Sequence, residues 1–258
     1  MTELSQEIDR AAHLVLEAGY VVALVGAGMS VESEIPPFRG PGGLWTKYGE
    51  PDMRGYDRFL ADPKGWWEAI LSREGYSREL VDGIAQAKPN AGHYALAELE
   101  QIGILRHIIT QNVDNLHFVA GSKNVAEIHG NISKLRCVSC GRRYDQGEID
   151  MEVLPPLCPQ CKGFIKTDGV MFGEPIPPDV LRRCENETEK CDCMLLLGTS
   201  AHVYPAAAFP AFVKDKGGAL IEVNPYETAL THSCQVVIRG VTGEVLPALV
   251  ERIKGLRQ

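Results

Sequence analysis

No stretch of this 258-residue chain approaches the roughly 18 consecutive apolar residues that a membrane-spanning helix needs. Its apolar runs, such as Met194 to Leu197, are strand-sized, so no membrane partner is expected. The opening Met1-Thr2-Glu3-Leu4-Ser5 has neither the basic nor the apolar region of a secretory signal, and a cytoplasmic chain with reduced cysteines is the expectation. Positive charge is in short supply. The 26 Lys and Arg stand against 34 Asp and Glu, a formal net charge of −8, which is the wrong sign for a general nucleic-acid binder. That excess either serves solubility alone or steers a basic partner. Internal repeats and low-complexity segments are lacking too. With 45% hydrophobic and 23% charged residues, the composition excludes a disordered, collagenous or coiled-coil chain. Folding at this length buries roughly 70–75% of the unfolded surface, enough for one large domain or two modest ones without disulfide staples.

What is present is an alternation. Leu4, Ile8, Ala12 and Val15 recur at helical spacing, with Gly19 placed for a left-handed C-terminal cap. Val21 to Val25 is then a continuous apolar run closed by Gly26-Ala27-Gly28, the pattern of a parallel strand buried on both faces. Such runs recur at Arg106 to Thr110, Cys193 to Leu197, Ala219 to Val223 and Gln235 to Ile238. Separated by helical stretches such as Ala91 to Gln101 and Glu244 to Lys254, these five strands predict a doubly wound, Rossmann-like parallel α/β sheet. Ligands of such sheets bind beyond the carboxyl ends of the strands. Gly26-Ala27-Gly28, Gln111-Asn112, Gly198-Thr199-Ser200, Asn224 and Gly240 are therefore expected to converge on one crevice. Two stretches break the rhythm and read as insertions forming a smaller domain. The predicted organisation is a Rossmann-like domain from residues 1–35, 91–134 and 168–258, a loop and helical insertion at 36–90, and a zinc-ribbon module at 135–167.

That module rests on Cys137, Cys140, Cys158 and Cys161, a C-x2-C-x17-C-x2-C pattern within the spacing of a zinc ribbon. Each C-x-x-C knuckle puts two thiolates on one side of a tight turn, and two knuckles complete a tetrahedral shell. A four-sulfur shell leaves no position for water or substrate, so the metal would be structural; two redox pairs or idle thiols are the competing readings. Cys184, Cys191, Cys193 and Cys234 show no ligand spacing and read as buried reduced thiols. Lys134, Arg136, Arg142 and Arg143 make the module locally basic, which reads as a solvated surface and not as a nucleic-acid footprint.

Gly26-Ala27-Gly28 after a buried strand resembles the start of the dinucleotide fingerprint, whose glycines let the backbone approach a pyrophosphate. The third glycine is lacking, Val31 standing in its place, and Pro36-Pro37 forbid a long regular helix after the turn. A standard dehydrogenase is disfavoured, while a bound dinucleotide stays in play. The segments Gly26-Ala27-Gly28-Met29-Ser30, Glu32-Ser33, Ile35-Pro36 and Phe38-Arg39-Gly40 resemble the first signature of the sirtuins, the NAD-dependent protein lysine deacylases. Further signatures follow in order: Thr110-Gln111-Asn112-Val113-Asp114 with Asn115-Leu116-His117, Glu127-Ile128-His129-Gly130, the four cysteines, Phe172-Gly173-Glu174, Gly198-Thr199-Ser200 and Asn224-Pro225. The match spans roughly residues 20–245, and the short length resembles the minimal bacterial or archaeal type.

The resemblance implies a large Rossmann-like domain and a small domain, with NAD and acyl-lysine meeting between them and zinc in the ribbon. It implies a lysine deacetylase in which the acyl oxygen attacks the nicotinamide ribose, nicotinamide leaves, and the acyl group ends on ADP-ribose. His129 is then the base that draws a proton from a ribose hydroxyl, an unperturbed imidazole being mostly neutral near pH 7. By the same resemblance Gln111 and Asn112 hold the nicotinamide ribose and Asp114 its carboxamide, while Gly26, Ala27, Gly28, Ser30 and Ile35 belong to the NAD site. Phe38 and Arg39 close over NAD, Gly198, Thr199 and Ser200 bind phosphate or ribose, Asn224 holds the adenosine end and Val241 backs the adenine. Val170, Phe172 and Val203 line an acyl-lysine tunnel, with the Val170 carbonyl accepting the substrate amide proton. His93 and His117 read as packing or helix-end residues. The implied partner is an acyl-lysine protein or peptide of basic character.

Several positions depart from the sirtuin pattern. Glu34 replaces a glycine, Val31 a small alanine and Pro37 an aspartate or threonine, all in the NAD-closing loop. A glutamate loses glycine's easy access to positive φ, so altered NAD handling is an expectation. Gly169 replaces a branched residue, and Phe118-Val119 a more polar pair. Desuccinylase-type sirtuins pair a tyrosine with an arginine three residues on; here Arg73 is kept, but Ile70 stands for the tyrosine, which favours deacetylation. Competing readings are ADP-ribosyl transfer, NAD hydrolysis, removal of longer or acidic acyl groups, and a non-catalytic nucleotide-sensing protein.

Overall fold

The computed structural model describes residues 2–72 and 75–258. Arg73, half of the acidic-acyl clamp weighed above, lies outside the described residues.

The first helix, α1 (Glu3–Glu17), starts where Thr2 Oγ1 accepts the Ser5 N–H, and buries Ile8, Ala11, Ala12 and Val15, while Leu4 stays exposed. Its end corrects the expectation of a left-handed glycine. Ala18 turns to extended backbone, and the Asp192 carboxylate accepts the N–H groups of Gly19 and Tyr20, both at 2.8 Å. A long-range carboxylate thus fixes the turn that follows the helix, and a Cβ on residue 19 would come within 3.1 Å of it.

The chain then builds a parallel sheet from β1 (Val21–Val25), β2 (Leu105–Thr110) and β3 (Val125–Glu127), interrupted by three short strands, β4 (Lys134–Cys137), β5 (Arg143–Asp145) and β6 (Ile165–Thr167). It resumes with β7 (Cys193–Leu197), β8 (Ala219–Val223) and β9 (Val236–Ile238), and the six pair in the order β3-β2-β1-β7-β8-β9. The continuous apolar runs follow from burial on both faces. Val21, Ala23 and Val25 face a core shared with Leu96, Leu99, Leu246 and Leu249, whereas Val22 and Leu24 face one shared with Cys184, Phe209 and Val213. Each fully buried aliphatic side chain contributes about 1.5–3 kcal/mol. Strand β3 escapes sequence reading because three residues carry too little periodicity.

Helices α2 (Leu44–Tyr48), α3 (Gly55–Ala61), α4 (Pro63–Ser72) and α5 (Gly75–Gln86) fill the first excursion, and α6 (Ala91–Gln101) returns to the sheet. Helix α6 is closed by a capping box in which the Asn90 side chain accepts backbone N–H groups and the Asn90 N–H donates to His93 Nδ1. After α7 (Leu116–Val119) come α8 (Pro178–Lys190), α9 (Phe209–Asp215) and α10 (Thr242–Arg257). Strands β5-β4-β6 form a separate antiparallel sheet beside the four cysteines. The helical excursion docks on it through Trp67, which packs with Leu135, Ile149 and Ile165 and donates its indole N–H to the Ile165 carbonyl at 2.8 Å. The two insertions therefore share one small apolar core.

The basic surface expected of this module is only partly there. Arg136 is buried, pairing Asp168 and Glu174 at 2.6 Å each. Its strand faces the polypeptide after β6, whose carboxylates the guanidinium needs. No helix among the described residues is long and apolar enough to cross a membrane.

Candidate active site

At the carboxyl end of the parallel sheet each strand exit is tied to the next strand. Gly26 N–H donates to Leu197 O at 3.0 Å, Gly28 N–H to Gly198 O at 2.8 Å, Gly198 N–H to Val223 O at 3.0 Å, and Gln111 N–H to Val25 O at 2.9 Å. This explains the glycines. A Cβ at Gly28 would lie 2.8 Å from the Gly198 Cα, and Gly198 has φ +55°. The small residues are needed because two backbones touch.

The crevice above these exits holds about 1850 Å³. On its sheet side it is lined by Gly26, Ala27, Gly28, Gln111, Asn112, Gly198, Thr199, Ser200, Asn224 and Val241. Phe38, Arg39, His129, Val170, Phe172 and Val203 line the same crevice. Four of the expected residues do not line it, one of them Gly240 beyond β9. Ser30 and Asp114 are buried behind Asn112, where Asn112 Nδ2 donates to Ser30 Oγ at 3.1 Å and Ser30 Oγ donates to Asp114 Oδ2 at 2.7 Å. Ile35 lies under a separate shallow hollow with Val31, Glu34, Pro36 and Pro37.

Gln111 bridges the strand ends, its amide donating to Thr199 Oγ1 at 2.8 Å. Its carbonyl lies 3.2 Å from His129 Nδ1. A carbonyl only accepts, so Nδ1 carries the proton and Nε2 keeps the lone pair of a neutral ring. That Nε2 is buried without a hydrogen-bond partner. Burial lowers the His129 pKa, opposed in part by the Gln111 carbonyl, so the ring is neutral at pH 7 and carries a directed basic nitrogen. Burial raises the Asp114 pKa, while the Leu116 N–H and the Ser30 hydroxyl oppose it. Glu127, two residues before the histidine, is pushed up to about 7, chiefly by burial.

An aromatic chain joins the loop after β1 to the segment after β6. Phe38 and Trp45 have ring centroids 5.1 Å apart, Trp45 and Phe172 5.8 Å, and the Arg39 guanidinium lies 4.4 Å over Trp45. Trp45, which lines the crevice, was missed by sequence reasoning; its only signal is its closeness to Phe38-Arg39-Gly40. Glu34, the substitute for glycine, adopts φ +65°. His93 and His117 are packed against each other in the interior, ring centroids 5.0 Å apart.

The four sulfurs of Cys137, Cys140, Cys158 and Cys161 lie within 4.8 Å of one another. Cys137 and Cys161 are 3.5 Å apart, Cys140 and Cys158 3.8 Å. The edge of a tetrahedron with Zn–S bonds of about 2.3 Å is ~3.8 Å, so the set fits zinc. Cys184, Cys191 and Cys193 are buried free thiols and Cys234 is a half-buried one.

The Sir2 family model matches residues 26–205. An NAD-dependent protein deacetylase of Sulfurisphaera tokodaii is 45% identical over 96% of this chain and 96% of its own length. An NAD-dependent protein deacylase of Pyrococcus abyssi is 43% identical over 97% of this chain and 100% of its own. The crystal structure of a Sir2 homolog–NAD complex superposes with a TM-score of 0.81 at 40% identity, covering 97% of this chain and 95% of that one. Fold, ordered motifs and relatives agree: the chain belongs to the Sir2 family.

Proposed function

We propose that this protein is an NAD-dependent protein lysine deacetylase that transfers the acyl group to ADP-ribose and releases nicotinamide. The observation that carries the reading is the buried Nε2 of His129, left without a hydrogen-bond partner on a residue that lines the crevice together with the polar strand exits and with Val170, Phe172 and Val203. NAD, when bound, supplies the ribose that receives the acyl oxygen and the nicotinamide that leaves. Gln111 and Asn112 orient that ribose, Asp114 acting through Asn112 and Ser30. Thr199, Ser200 and Asn224 hold the phosphates and the adenosine end, and Val241 backs the adenine. His129 Nε2 takes the proton of a ribose hydroxyl. Arg39, stacked on Trp45, closes the loop over the bound dinucleotide and excludes water. Orientation of this kind can supply about 7–11 kcal/mol of a barrier's lowering.

Within this reading the parallel sheet and its helices, residues 1–35, 91–134 and 168–258, form the NAD domain. Residues 36–90 and 135–167 form the small domain. Zinc is held by the four cysteines, whose thiols must stay reduced, which fits a cytoplasmic setting. A basic peptide suits the net charge of −8.

The test incubates zinc-loaded protein with NAD and matched acetyl-, succinyl- and unmodified-lysine peptides and measures nicotinamide release. Release with the acetyl peptide, together with O-acetyl-ADP-ribose by mass spectrometry, is expected. Release that ignores the peptide would make the protein an NAD hydrolase, and ADP-ribosylated peptide would make it a transferase.

A further inference from the structure

A fully buried ammonium lies beside the crevice without facing it. Lys166, in β6, has no solvent exposure. Its Nζ donates to the carbonyls of Thr167 at 2.7 Å and Gly169 at 2.6 Å and pairs with Glu174 at 3.1 Å. Glu174 is shared. One oxygen accepts from Arg136 at 2.6 Å, the other from the Met171 N–H at 2.9 Å. Arg136 also reaches Asp168 at 2.6 Å, and Arg143 binds the second Asp168 oxygen at 3.0 Å. Burial pulls the Lys166 pKa down to about 8, with Glu174 opposing, so the charge persists at neutral pH. A buried ion network contributes little net stability over an apolar packing of the same volume. Its use must be sought in what it holds still.

It holds the two peptide planes around Val170. The plane between Gly169 and Val170 is gripped at both ends: Lys166 takes the Gly169 carbonyl, and the Val170 N–H donates to the His129 carbonyl at 2.8 Å. In the next plane Glu174 takes the Met171 N–H. In a trans peptide the carbonyl points opposite to the N–H, so the Val170 carbonyl is turned away from the buried carboxylate. Gly130 lets the histidine loop come this close, since a Cβ there would fall 2.0 Å from the Asp168 carbonyl. The network therefore links the cysteine module, the Val170–Glu174 segment and the backbone of His129.

We propose that Lys166, acting with Glu174, is a positioning residue for the acyl-lysine substrate, fixing the Val170 carbonyl and side chain at the crevice wall without touching substrate. This rests on the deacetylase reading above. The test uses zinc-loaded full-length protein and a fluorescently labelled acetyl-lysine peptide, comparing wild type with K166M and E174Q. Peptide affinity by anisotropy is expected to fall by about tenfold or more, the order of one well-placed hydrogen bond. The peptide KM rises in parallel, and kcat at saturating peptide falls much less. ADP-ribose affinity and zinc stoichiometry should stay within about twofold of wild type. Peptide affinity within twofold of wild type in both variants overturns the proposal, as does an equal loss of ADP-ribose affinity, which would mean general loosening. If K166M does not accumulate as folded, zinc-loaded protein, E174Q decides alone. Failure of the deacetylase reading shows separately, as wild-type protein that neither prefers acetyl-lysine peptide nor turns it over.

Discussion

His129 and Glu34 show how one side chain tests a local argument. The base nitrogen of His129 is defined by what its other nitrogen does, namely donate to the Gln111 carbonyl. Replacing it with alanine leaves the strand-exit residues in place, so His129→Ala should keep ADP-ribose affinity and lose about 10²–10⁴-fold in deacetylation rate, the range for a general base; single-turnover assays beside calorimetric binding check this. Because burial lowers the ring's pKa, the rate should be flat through neutral pH and fall only below the ordinary imidazole value of about 6.5. Glu34 makes the opposite kind of case. It holds φ +65° at the end of the turn over Ala27–Ser33, with its side chain exposed. A left-handed non-glycine residue costs about 1–2 kcal/mol, and glycine's larger unfolded entropy offsets about 0.5–1 kcal/mol of any gain. Glu34→Gly should thus stabilise by about 0.5–1 kcal/mol, read as a raised urea midpoint at unchanged slope. An unchanged midpoint would mean that the loop relaxes around the glutamate at no cost.

Among the elements, legibility followed burial. Strands β1, β7 and β8 are covered on both faces, so their apolar runs announce themselves in the sequence, and the strand-exit residues come with them. The cysteine spacing likewise predicts its own cluster, because tetrahedral ligation demands two knuckles. Strand β3 is too short to carry a period. Lys166 and Arg136 look like ordinary surface charges, since their partners Glu174 and Asp168 lie at distances in sequence that only the folded chain closes. Ser30 and Asp114 stand behind Asn112 and Ile35 beside the crevice, a placement that the motif does not announce, because a motif records which residues occur together and not which of them face the solvent. Trp67 is also illegible in one dimension, although it ties α4 to the zinc ribbon. That tie yields a prediction. Structural zinc supplies folding energy outright, so stripping it with a chelator at neutral pH should melt β4–β6, release Trp67 into water and red-shift the tryptophan emission. The far-UV signal of the six-stranded sheet should largely remain. Loss of both signals together would show that the two parts of the protein unfold as one.

At the scale of the whole molecule, acid stability is set by groups that the fold keeps uncharged. His117 and His93 sit against each other in the interior, and burial lowers their pKa values to about 3 and about 4, the nearby His93 adding to the effect on His117. In the unfolded chain both titrate near 6.5. Between these limits the unfolded state binds more protons, so their contribution is complete above about pH 6.5 and is lost as the pH falls. At pH 5 each costs about 2 kcal/mol relative to neutral pH. Cysteine protonation and zinc loss also act at low pH, whereas Asp114 and Glu127, whose pKa values are raised, act in the opposite direction. The informative quantity is therefore a difference between variants. His117→Leu removes one proton-binding site and leaves the rest. Its loss of stability between pH 7.5 and pH 5, from urea titrations of zinc-loaded protein, should be smaller than that of the wild type by about 2 kcal/mol. Equal losses would mean that His117 is protonated within the folded state, contrary to a buried ring of α7 set against His93 of α6 with both its nitrogens unpartnered.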